Sequence, residues 1–252
     1  MTNGTANDVT VYGMPPEYGR WVFVFAGLIM NLCLGTVYAW SVFRKPLQDL
    51  FSTPEVKITA TQTLLPYMLF LAIFTVLMPI SGRLLQRGIH PRVLSIIGSV
   101  LVAAGWILSR YVSDINYLYL TYGVIGGAGV GIVYGIPIAV ATRWFPDMKG
   151  LAVGITVLGF GASALVTAYA ASNLIATQGV LSAFLSLGLF FLVVLVYVSA
   201  FGLEAGGMAA GRRLGRHCRF YPCRGDKDVV RLGLMVVFHY RFSERTDGYR
   251  HL

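Results

Sequence analysis

Charge is what this chain lacks most, and its absence excludes the most. From Gly150 to Leu203 the sequence runs for 54 residues without one Asp, Glu, Lys or Arg. Charged residues make up 12% of the whole and hydrophobic residues 56%, with a mean hydropathy of +0.68. A soluble domain must show charge to water, so so long an uncharged run excludes one. A bilayer core is about 30 Å thick and takes about 20 apolar residues per helix, which gives this run room for two spans and a turn.

Other scarcities narrow the chemistry. Three cysteines, with Cys33 inside an apolar run, supply no disulfide framework. The four histidines lie in a loop (His90) or in the C-terminal tail (His217, His239, His251). No Ser/His/Asp grouping and no HExxH helix is visible. His217, Cys218 and Cys223 are too few and wrongly spaced for zinc. The sequence therefore nominates no catalytic residue, no metal site and no cofactor, and it does not read as an enzyme. The net charge of +9 does not point to nucleic acid, because half of the 20 Lys and Arg lie beyond Glu204 and the rest sit between apolar runs. The polar start, Thr2 to Asp8, lacks the basic and apolar regions of a cleavable signal peptide.

What is present is a series of six uncharged segments: Trp21–Phe43, Ile58–Gly82, Val93–Ser109, Ile115–Thr142, Gly150–Ser172 and Gly179–Leu203. In hydrocarbon each must be a helix, since an open strand leaves backbone groups unpaired. The fold class is all-α integral membrane, with a cytoplasmic N-terminus at 1–20, a six-helix bundle at 21–203 and a basic, irregular tail at 204–252. Asn173, Thr177, Gln178 and Gly179 read as the polar turn between the last two spans. Trp21 and Trp40 mark the ends of the first span as an aromatic belt would, and Trp40 reads as an interfacial anchor.

Alternating sides give the orientation. Arg20, Arg83, Arg87, Arg92, Arg143 and Lys149 fall on the side of the N-terminus, against Arg44, Lys45, Lys57 and Arg110 opposite. Six spans return the basic tail to the first side. Both termini are expected in the cytoplasm, with the chain a multi-pass protein of the cell membrane.

Inside the spans the only ionisable residues are tyrosines and Cys33, so ion relays and ion-paired solute sites are not expected there. Glycine carries the pattern instead. Gly123, Gly127, Gly131 and Gly135 recur every four residues, a stripe on which another helix can pack closely, and Tyr134 falls within it. Gly27, Asn31, Gly35 and Tyr38 repeat the arrangement in the first span. Each smooth face with one phenol suits a cavity wall whose hydroxyl bonds a polar solute, or plain packing between helices. Gln62 opens the second span, where it contacts solute or sits at the interface. Pro66, Pro79 and Pro137 fall inside spans and predict kinks.

Two loops on the N-terminal side have distinct sequences. Gly82-Arg83-Leu84-Leu85-Gln86-Arg87-Gly88 is a tight basic turn. Arg143-Trp144-Phe145-Pro146-Asp147-Met148-Lys149-Gly150 places Asp147 near a helix N-terminus, where negative charge is favoured.

Taken with Tyr38-Ala39-Trp40-Ser41-Val42-Phe43, the fourth span through Tyr134 and Pro137, and the run from Arg143 to Gly154, these features resemble the oxalate/formate antiporter family of the major facilitator superfamily. The resemblance covers about residues 18 to 203. The superfamily's loop between spans two and three carries an Asp where this chain has Gln86. The resemblance implies half of a twelve-helix carrier that moves small carboxylates by alternating access. It implies that Tyr38 and Tyr134 line the site; Asn31 and Gln62 are further substrate candidates from their places in the first and second spans. It also implies that the cations gripping the carboxylate lie in a second half. The partners expected are the lipid bilayer, a small carboxylate, and a missing C-terminal half or a second copy.

The tail departs from all of this. Gly211 to Leu252 is rich in Arg and has neither helical nor strand period. Back-translated and read one base later, Asp228 to Leu252 permits MLYGLGLWLSFTIGSVSGLMAIGI, an apolar stretch similar to the family's seventh span. Met235 followed by Val236 forces its Trp. The tail therefore reads as translation in a shifted frame, with a lipid-binding basic tail as the alternative. Three functions are carried forward: a truncated carrier half inactive alone, a six-helix channel or homodimeric half-transporter, and a membrane scaffold.

Overall fold

The computed structural model describes residues 16–52 and 58–202. Lys57, the first fifteen residues and the whole tail with its shifted-frame reading lie outside the described residues. Within them are six helices long and apolar enough to cross a membrane: α1 (Gly19–Phe51), α2 (Ala60–Gln86), α3 (Pro91–Tyr111), α4 (Ile115–Trp144), α5 (Lys149–Gln178) and α6 (Val180–Phe201). Helix α1 packs on α5 along most of its length and also touches α4 and α6. Helix α4 lies between α2 and α3, and α3 packs on α6.

Small residues make this packing close, as expected where lipid supplies no hydrophobic drive between helices. The glycine stripe of α4 meets α2. A Cβ at Gly123 would lie 3.2 Å from the Pro66 carbonyl, at Gly127 2.7 Å from that of Phe70, and at Gly131 2.9 Å from that of Phe74. Gly135, the fourth member, faces open space. A second glycine seam, not singled out in the sequence, joins α4 to α3: Gly126 lies against Gly105 and Gly129 against Gly98.

Trp40 is no interfacial anchor. It is buried, stacks on Tyr122 at 4.3 Å and donates Nε1–H to the Thr63 carbonyl at 3.0 Å. Around it gather Phe43, Phe70, Trp106, Phe184 and Phe191, so five of the six helices share one aromatic core. Each such ring pair adds about 0.5–1.5 kcal/mol beyond the area it buries. A large ring fits the core as well as the interface, and burial here satisfies its single N–H.

Two boundaries move. Helix α1 continues past Arg44 and Lys45 to Phe51, because cations at a helix end reach the interface without ending the helix. The turn between α5 and α6 shrinks to Gly179 alone, whose φ of 81° lies in the left-handed region open to glycine. Thr177 stays helical by donating its hydroxyl to the Asn173 carbonyl at 2.8 Å.

Polar groups inside the bundle mostly find partners. Pro66 cannot donate to the Gln62 carbonyl, and the Tyr119 hydroxyl does so instead at 3.3 Å. Ser199 of α6 lies 2.7 Å from Ser95 and 3.1 Å from Ser99 of α3, all three fully buried. Interhelical bonds of this kind average about 0.6 kcal/mol in a membrane protein. Ser199→Ala should therefore lower unfolding free energy by about 1 kcal/mol, read as a small fall in the detergent unfolding midpoint.

Candidate functional site

The geometry brings two of the sequence candidates together and sends two elsewhere. Between Leu34 and Trp40 the first helix tightens into a 3-10 turn, Gly35–Ala39. Each residue there turns about 120° instead of 100°. That sets Tyr38 almost directly over Gly35; Gly27, Asn31 and Gly35 pack against α5, while Tyr38, three residues further on, is 49% exposed.

Its ring stands edge-on to Phe160 of α5, centroids 5.2 Å apart. Tyr134 of α4 meets the same ring at 4.8 Å and Phe74 of α2 at 5.4 Å. Four helices thus meet in one small aromatic group, with Tyr38 and Tyr134 both edge-on to Phe160. Neither phenol has a hydrogen-bond partner among the described residues. Gly135 and Gly161, each next in sequence to one of these rings, meet nothing within 4 Å. Such a surface can hydrogen-bond a small polar solute through two hydroxyls, and it offers no charge.

Phe160 was not among the sequence candidates. The only hint is its place between Gly159 and Gly161, and the first of these lets α1 approach: a Cβ there would lie 2.3 Å from the Leu28 carbonyl.

Asn31 does not join the tyrosines. It is fully buried and donates Nδ2–H to the Thr156 carbonyl at 2.9 Å, tying α1 to α5, while its Oδ1 has no protein partner. It lies seven residues from Tyr38, roughly 10 Å along the helix, so a shared face does not bring the two side chains together. Gln62 is taken up by the start of α2. Its Oε1 accepts from the Thr59 backbone N–H at 2.8 Å, and Thr59 Oγ1 accepts from the Gln62 N–H at 3.4 Å, a reciprocal cap.

At the N-terminal end of the bundle, Asp147 does not cap α5, whose N-cap is Met148 without a side-chain bond. Both carboxylate oxygens instead accept from Arg20 Nη1 at 2.9 Å, and the guanidinium lies 4.5 Å above the Phe145 ring. A desolvated cation within reach wins over a helix dipole, because the charge-assisted bond is the stronger interaction. Arg83, Arg87, Arg143 and Lys149 are exposed at the loops. No group of three or more His, Cys, Asp or Glu suited to a metal occurs among the described residues.

Comparison with known proteins decides the family. The model of the Major Facilitator Superfamily matches residues 21–216. The chain belongs to that superfamily. It is a multi-pass membrane protein of a transporter family, built as the sequence led us to expect. It is 33% identical over 195 residues to the oxalate:formate antiporter of Oxalobacter formigenes, covering 77% of this chain and 45% of that protein. It is 28% identical to the uncharacterized MFS-type transporter YhjX of Escherichia coli K12, over 71% of this chain and 43% of that one. To human monocarboxylate transporter 11 it is 32% identical, over 69% and 36% respectively. The chain thus spans less than half the length of these relatives.

Proposed function

We propose that the chain forms the N-terminal half of a carrier for small organic anions of the oxalate, formate or monocarboxylate kind. It contributes the uncharged wall of a central site. The single observation that carries this reading is the meeting of Tyr38 and Tyr134 at Phe160 on an open face, both hydroxyls free of protein partners. A carboxylate oxygen accepts such bonds readily, but two phenols cannot repay its lost hydration. The countercharge comes from a second half, and the chain alone is inactive.

Large apolar side chains on α2 and α5 support a partner. Met68, Val76, Leu158, Leu165 and Tyr169 are all exposed there. We place both termini in the cytoplasm and the bundle in the cell membrane, on the excess of Lys and Arg at the Arg20 end. The relatives named for oxalate, formate and monocarboxylate transport support the solute class.

Fusing residues 1–203 to the part of the Oxalobacter antiporter that follows its matching segment tests this reading. The chimera should exchange labelled oxalate or formate in proteoliposomes. Tyr38→Phe with Tyr134→Phe should raise its KM about tenfold, since two hydroxyl bonds at about 0.5–1.5 kcal/mol each are lost. A chimera whose KM ignores both substitutions would sink the reading. A pore conductance from this chain alone would favour the homodimeric channel.

A further inference from the structure

The end of α1 furthest from Asp147 carries a feature the tyrosine site does not use. Past Tyr38 the helix regains α geometry, and Ser41, Arg44, Lys45, Gln48 and Asp49 line one side of it. Together they bound an open hollow of about 500 Å³. The hollow is held from beside it: Arg44 Nη2 donates to the Ala60 carbonyl at 3.2 Å and Gln48 Nε2 to that of Ile58 at 3.0 Å. These bonds fix the floor to the start of α2.

Asp49 offsets one of the two cations that line the hollow, which leaves a formal excess of one positive charge among its lining residues. Among the described residues neither Arg44 nor Lys45 forms an ion pair, with Asp49 or with any other carboxylate. Arg44 Nε is buried without a partner. Lys45 is exposed, as are Ser41 and Asp49.

Position gives the hollow its meaning. Tyr38, Ser41, Lys45 and Asp49 follow one another up the exposed side of α1 at helical spacing. From Tyr38 to Lys45 is seven residues, roughly 10 Å of helix rise. That is about one Debye length at 0.1 M salt, so the ammonium charge is still felt at the phenol. Two cations at the rim of a low-dielectric bundle raise the local concentration of small anions and speed their encounter.

We propose that the Ser41–Arg44–Lys45–Gln48–Asp49 hollow is an outer anion-recruiting subsite, which binds a small carboxylate weakly and delivers it down the face of α1 to Tyr38. Lys45 supplies the attraction. Arg44 is anchored and adds a fixed donor. Asp49 opposes binding and keeps it weak enough for release. This rests on the carrier reading for its ligand class, yet the subsite is complete within this chain and needs no second half.

The test uses the chain in nanodiscs of zwitterionic lipid with 13C-labelled oxalate as the probe, read by line broadening of the free anion. Broadening should fall at least fivefold in Lys45→Gln, return in Lys45→Arg, and rise about threefold in Asp49→Asn. Arg83→Gln with Arg87→Gln, at the opposite end, should leave it unchanged. Unchanged broadening in Lys45→Gln, or an equal loss in the Arg83/Arg87 variant, would overturn the proposal. So would displacement of oxalate by adding anionic lipid, which would make the hollow a headgroup site. Failure of the carrier reading is separable, because it appears as a chimera that ignores Tyr38→Phe and Tyr134→Phe while the oxalate signal at Lys45 persists.

Discussion

Gly35→Val should unfold the candidate site before anything else in the bundle. A Cβ at position 35 would sit 2.2 Å from the Phe160 carbonyl oxygen and 2.8 Å from Ser163 Cβ. The first contact is to backbone, so no side chain can rotate away to relieve it. Helices α1 and α5 must separate, and the same movement pulls Phe160 away from Tyr38. Overpacking of this kind costs about 3 kcal/mol where relief requires a helix to move. The expected result is a large drop in the detergent unfolding midpoint, with intrinsic aromatic fluorescence changing at the native baseline. Gly135→Ala is the matched control. It meets nothing within 4 Å, and alanine is the better helix former by about 0.5–1 kcal/mol, so stability should hold or rise slightly.

Asp147→Ala should be nearly as damaging, for an electrostatic reason. The Arg20 and Asp147 side chains are only 16% and 7% exposed, so removing the carboxylate strands a largely desolvated guanidinium. Breaking a buried pair from one side costs about 3 kcal/mol. The Phe145 ring beneath Arg20 returns a fraction of this through cation–π attraction, about 1 kcal/mol. Replacing both partners with apolar residues, Arg20→Met with Asp147→Leu, should recover much of the loss, because neither charge is then left unpaired. Unfolding midpoints of Arg20→Met, Asp147→Leu and the double variant give the coupling. Additive losses would show that the pair contributes no mutual stabilisation.

Much of the fold was legible because hydrocarbon admits so few solutions. The scarcity of charge located all six spans, and the backbone's need for internal hydrogen bonds made them helices. Charge misled at one place: Arg44 looked like the end of a span, whereas the helix continues to Phe51. The recurrence of Gly123, Gly127 and Gly131 announced a packing face, but one sequence cannot say which helix arrives at it.

The site was half legible. Tyr38 and Tyr134 were singled out by periodicity and by resemblance, and the bundle brings both rings to Phe160. Asn31 does not reach the tyrosine group because it lies seven residues from Tyr38, roughly 10 Å along the helix, with its amide donating to the Thr156 carbonyl. Gln62 looked available for solute because a cap depends on the backbone of Thr59, which pattern alone does not reveal. Trp40 was read as an anchor since tryptophan suits both an interface and a core, and only its Thr63 bond separates the two. Phe160 has no signature apart from flanking glycines, and its importance arises solely from contacts distant in sequence.

The central claim is that these six helices bring two free phenols but no cation to the central site. Counterflow of labelled oxalate into proteoliposomes holding this chain alone, with helical content verified after reconstitution, tests it most directly. The account predicts uptake equal to that of empty liposomes. Saturable exchange by the chain alone, abolished by Tyr38→Phe, would contradict it.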